Sequence, residues 1–71
     1  MHILIFKTNI DNEAAHHEVG NILNTHHSVI GWNIDKEDID KVLRIESRLD
    51  NTQEIITSIN KAGFLCEELP D

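Results

Sequence analysis

The sequence predicts an α+β domain of order β-α-β-β-α-β, in which four short strands form one antiparallel sheet and two helices cover one of its faces. Three observations carry this expectation. Two segments repeat apolar residues every three or four positions, as amphipathic helices do. Four others are short and either apolar throughout or alternating in period two, as strands are. The order of these segments divides the 71 residues into two βαβ-like halves of nearly equal length. A chain this short makes one domain over residues 1–71, and it buries only about 60% of the surface its unfolded form exposes.

The first strand, β1, is predicted over 2–6, where His2-Ile3-Leu4-Ile5-Phe6 is apolar on both alternating faces, as in a central strand. Thr8, Asn9 and Asp11 can each accept backbone N–H groups at a helix start, and Asp11 and Glu13 suit the positive end of a helix dipole. Ala15, Val19, Ile22, Leu23 and His26 then recur at helical spacing and define α1. Next, β2 is predicted over 29–35, with Ile30, Trp32 and Ile34 on one face and Gly31, Asn33 and Asp35 on the other. Lys36-Glu37-Asp38 turns the chain into β3, over 41–46, which points Leu43 and Ile45 inward and Arg44 and Glu46 outward, so the pair reads as a hairpin. Asp50 or Asn51 caps α2, each with Gln53 or Glu54 in capping-box spacing, and Ile55, Ile56, Ile59 and Ala62 form its apolar stripe. Gly63 stands where a left-handed residue ends a helix, β4 follows over 64–67, and Pro70 ends it. Right-handed crossovers place β1 and β3 at the centre of the sheet, the ferredoxin-like βαββαβ sandwich.

Charge narrows the function. Thirteen acidic against six basic residues give a net charge of −7, which repels nucleic-acid phosphates and anionic lipids, so no nucleic acid and no membrane is expected as partner. The longest apolar run, Ile3 to Phe6, is far short of the ~20 residues that cross a bilayer, and the amino terminus lacks the parts of a signal peptide. A lone cysteine, Cys66, cannot form an internal disulfide, which fits a reducing, cytoplasmic setting.

Two stretches resemble heavy-metal-associated domains, the modules of copper chaperones and metal-transporting ATPases. They are the hairpin "VIGWNIDKEDIDKVLRIE" and the closing "IITSINKAGFLCEEL", in which Ile55, Ile59, Ala62, Gly63 and Phe64 stand at that family's helix-and-strand positions. The resemblance covers essentially the whole chain and implies the ferredoxin-like fold. It also implies a metal motif, M-x-C-x-x-C, in the loop between β1 and α1, where two thiolates hold one soft ion. The corresponding loop here, Thr8 to Ala15, has neither cysteine nor methionine, so no metal is expected at the family position. Asp11 and Glu13 are too few for a calcium site, which takes about six to eight oxygens.

Histidine supplies the remaining metal candidates: His16, His17, His26 and His27, with Glu13. Adjacent residues on a helix diverge by ~100°, and His16 and His27 on one unbroken helix stand about 16 Å apart, so neither doublet closes a site alone. Glu13 and His17, at i and i+4, make a two-ligand contact at most. Cys66 reads as a structural cysteine, since Glu67 and Glu68 disfavour its thiolate. Trp32, alternating with Ile30 and Ile34, reads as core more than as a partner anchor. No nucleophile, base and oxyanion set assembles, and no glycine-rich phosphate loop is present. An acylphosphatase of this topology needs an anion-binding loop with arginine after β1, where only Lys7 is cationic. Amino-acid-sensing domains of the same topology share Asp11 at the junction but not their glycine.

The expectation is a non-enzymatic binding module without cofactor, whose partner is another protein or a second copy. It would dock by the sheet face away from the helices, through one alternating set of β1 with Val29 and Val42, or by a sheet edge. A metal-handling protein with histidine and carboxylate ligands is the alternative, and a small-ligand regulatory domain the third.

Overall fold

In the computed structural model, which describes residues 1–69, the elements are β1 (His2–Thr8), α1 (Glu13–Asn24), β2 (Val29–Asp35), β3 (Val42–Ser47), α2 (Thr52–Lys61) and β4 (Cys66–Glu68). The expected stop at Pro70 lies outside the described residues. The sheet order is β2-β3-β1-β4 with every pair antiparallel, so β1 and β3 are central. Leu4, Phe6, Leu43 and Ile45 from the central strands meet Ala15, Val19 and Leu23 of α1 and Ile55 and Ile59 of α2 in one buried core. That core is aliphatic except for Phe6 and is closed at the β4 edge by Cys66.

Ile10, in the loop after β1, is fully buried in the same core. It anchors a loop in which none of Thr8, Asn9 and Asp11 caps α1. The cap is Asn12, whose Oδ1 accepts the Ala15 N–H at 2.8 Å. Thr8 continues the strand instead: its hydroxyl donates to the Lys41 carbonyl at 2.6 Å, while its N–H reaches the Asp40 carbonyl. Asn9 accepts the Leu65 N–H at 3.0 Å and so ties the loop to the approach to β4. Gly63 takes the expected left-handed conformation, φ 95°, after the end of α2.

β2 departs from its expected alternation. The register runs from Val29 opposite Ser47 to Gly31 opposite Glu46, leaving Ile30 as the extra residue of a bulge. Ile30 is therefore half exposed rather than aligned with Trp32 and Ile34, and Val29 packs against the core. Trp32 lies over α1, where Gly20 admits it: a Cβ at position 20 would meet the indole ring at 3.0 Å. Its Nε1–H donates to Asn24 Oδ1 at 2.9 Å.

Candidate metal centre

The antiparallel layout gives the domain two poles. At one lie the end of β1, the start of α1 and the β2–β3 turn; at the other lie the α1–β2 turn and the β3–α2 turn. The first pole holds the loop in which the resemblance places a metal motif. Set on this loop with its first residue at Ile10, that motif's spacing falls on Ile10, Asn12 and Ala15. Ile10 and Ala15 are buried, and Asn12 is occupied with capping. No thiol lies there, so the donor set does not fit a soft ion.

Glu13, at the same pole, accepts a hydrogen bond from Lys36 Nζ at 2.5 Å. That bond, followed by the lysine's charge, holds the Glu13 carboxyl below its ordinary range. Glu13 is thus committed to lysine rather than to His17, which is exposed. His16 is half-buried against Trp32, ring centroids 5.3 Å apart. Its Nδ1 is enclosed without a partner among the described residues. His2 stands apart, on the wall of a cleft of about 210 Å³ together with Asp50, Thr52 and Glu68.

At the second pole the outcome differs. α1 ends at Asn24, with Thr25 as its last cap, so His26 and His27 lie in the turn rather than on the helix. Freed from the helical divergence, their rings stack with centroids 4.8 Å apart and planes inclined by 22°. Both Nε2 atoms lie near one carboxylate oxygen: Glu54 Oε1 is 3.3 Å from His26 and 3.2 Å from His27, the latter as a hydrogen bond. Among the described residues, His26, His27 and Glu54 form the group of three such donors that converges, with one ligand atom from each within 4.8 Å of the others. His26 is nearly buried, its side chain 9% exposed, whereas His27 and Glu54 face solvent. The hydrogen bond from His27, then that from Asn51, holds the Glu54 carboxyl below its ordinary range.

Sequence spacing brought out the two histidines but not Glu54, which is separated from His27 by 27 positions. The available signal was topological, because the ferredoxin-like order puts the end of α1 and the start of α2 at one pole.

The expected docking residues separate. Val42 lies opposite Asp35, on the helix-free face that Ile3 and Ile5 share with Glu46 and Arg44. Val29 does not join it: paired with buried Ser47, it faces the helices, because the bulge at Ile30 reverses the alternation there. Cys66 is buried, and that burial, followed by the charge of Glu67, pushes its thiol up to about 12, consistent with a structural cysteine.

With this geometry established, known proteins place the fold. The yeast copper transporter domain CCC2A, solved in the apo and Cu(I)-loaded states, superposes with a TM-score of 0.80 at 20% identity over 97% of this chain and 96% of that one. The N-terminal domain of ZntA in the Zn(II) form gives a TM-score of 0.78 at 16% identity, covering 93% and 89%. The chain has the fold of a heavy-metal-associated domain. A structure from work on crosstalk between Cu(I) and Zn(II) homeostasis agrees, with a TM-score of 0.82 at 10% identity over 97% of this chain and all of that one. No protein-family model and no curated protein matches the sequence. Among the described residues no helix is long and apolar enough to cross a membrane.

Proposed function

We propose that this chain is a non-enzymatic metal-binding domain that holds a borderline divalent cation, zinc foremost, on His26, His27 and Glu54. The fold is that of metal-binding neighbours, but the site would stand at the pole opposite their motif. One observation carries the reading: two imidazole nitrogens converge on one carboxylate oxygen at 3.3 and 3.2 Å. A tetrahedral ion bonded at ~2.0–2.1 Å needs its donors about 3.3–3.4 Å apart, so two of the three edges already have the right length. The third edge, between the two rings, is at most 4.8 Å and closes when the exposed His27 turns about its side-chain bonds.

Imidazole and carboxylate suit zinc, nickel and copper(II) better than Cu(I), which prefers thiolates. The net charge of −7 favours a cation, while the positive end of α2 opposes it by roughly 0.3–1 kcal/mol. Three protein ligands leave the fourth position to water or to a group from a partner. The lone, buried cysteine fits a reducing cytoplasm.

Calorimetric titration with zinc tests this. One ion per chain is expected, with affinity reduced at least tenfold in Glu54→Gln and unchanged in His17→Gln. Binding that survives Glu54→Gln intact would overturn it.

Association with another protein or a second copy is a further reading, favoured by Ile3, 41% exposed, beside Ile5 and Val42 on the helix-free face. Sedimentation over a range of concentrations tests the second-copy form, which a monomer at every concentration would rule out.

A further inference from the structure

The ligand-bearing segments are joined by Asn51. It stands at the N-cap of α2, yet its side chain makes no cap bond. Its Oδ1 instead accepts from the buried Ser47 hydroxyl at 3.1 Å, and its Nδ2 donates to the buried Ser28 Oγ at 2.7 Å and to Glu54 Oε2 at 3.4 Å. Ser28 Oγ in turn lies 3.0 Å from His26 Nδ1, which also accepts the Ser28 backbone N–H at 3.4 Å. One amide therefore reaches the carboxylate ligand directly and the nearly buried histidine ligand through a single hydroxyl.

Those contacts decide where the His26 proton sits. A backbone N–H can only donate, so the neutral ring keeps Nδ1 as acceptor and carries its proton on Nε2, facing Glu54. A metal ion at Nε2 requires that proton to leave to solvent while a solvent proton is taken up at Nδ1, with no net change in charge. The Ser28 hydroxyl has one hydrogen and two lone pairs. With one lone pair held by Asn51, it donates to Nδ1 in the first tautomer and accepts from Nδ1–H with the second lone pair in the other. Through the exchange the ring gives up the long 3.4 Å bond from the Ser28 N–H, and the hydroxyl hydrogen turns away from Nδ1 while its oxygen keeps the contact.

We infer that Asn51 is a positioning residue for the metal site: by fixing the Ser28 hydroxyl and Glu54 together, it lets His26 present Nε2 to a divalent cation without moving its ring. This rests on the metal-binding reading above, and it explains why an N-cap asparagine leaves its helix uncapped.

The test pairs zinc titration with long-range ¹H–¹⁵N NMR of the His26 ring, in the wild-type chain and in Asn51→Ser. Serine caps a helix as well as asparagine but is too short to reach Ser28 and Glu54, so a purely helix-capping role would leave the zinc affinity unmoved. For the wild type, a single Nε2–H tautomer is expected, converting to Nδ1–H with zinc. For Asn51→Ser, the Ser28 N–H still keeps the zinc-free ring as Nε2–H, and a roughly 10- to 100-fold weaker zinc affinity is expected, the size usual for a lost outer-shell partner. Wild-type zinc affinity in Asn51→Ser would overturn the inference while leaving the metal reading intact. Absence of zinc binding by the wild-type chain would overturn both.

Discussion

Two asparagines at the starts of the two helices do opposite things. Asn12 turns its Oδ1 to the Ala15 N–H at 2.8 Å and caps α1 in the ordinary way. Asn51 leaves α2 uncapped and turns its amide to Ser28, Ser47 and Glu54. The poles differ accordingly. Around Asn12 the side chains of Thr8 and Asn9 serve the backbone and Ile10 fills the space beneath, and among the described residues no group of three histidine, cysteine or carboxylate donors converges there. Around Asn51 the backbone goes partly unserved and side chains are held for one another. A cap that is not made marks the pole where side chains converge.

The contrast can be broken in several ways, the largest first. Ile10→Ala removes a fully buried side chain beneath the first loop and is expected to cost about 2–5 kcal/mol in denaturant unfolding, against about 0.5–1.5 for Ile10→Val. Next, Glu54→Ala removes the oxygen that both rings share and should lower zinc affinity by about 10- to 100-fold or more, a loss of roughly 1.4–2.7 kcal/mol in binding. Asn12→Ala should cost about 1 kcal/mol of stability, measured by thermal melting, and leave zinc affinity unchanged. A fall in zinc affinity there would erase the distinction between the poles.

The smallest effect concerns pH. The Glu54 carboxyl is held below its ordinary value, so its contribution to stability is complete above the unfolded value of 4.5 and is lost as pH falls through the lower folded one. Glu54→Gln should therefore be slightly less stable than wild type at pH 6, and the gap should close in acid, as read from urea midpoints across that range.

Much of this was legible from the sequence because it depends on period. The stripes of α1 and α2, the central placing of β1 and β3, and the left-handed Gly63 follow from spacing and a single glycine. What escaped were local choices among near-equal options. Four polar residues in the first loop can cap a helix, and the burial of Ile10 fixes the frame in which Asn12 does so. The bulge inserts Ile30 beside Gly31, a glycine inside a strand that can mark such a break but does not by itself give its direction, and it puts Val29 on the inner face rather than the outer. Helical geometry keeps the histidines of a doublet apart, but α1 stops two residues before His26. The spacing of Glu54 permits a capping role that its side chain does not take, meeting His27 and the Asn51 amide instead.

The most direct test of a site at the second pole is a zinc titration followed residue by residue in ¹H–¹⁵N NMR. The account predicts saturating shifts in His26, His27, Ser28, Asn51 and Glu54, with residues 9–15 unmoved. Shifts centred on the β1–α1 loop or on His16 and His17, or no saturable change anywhere, would contradict it.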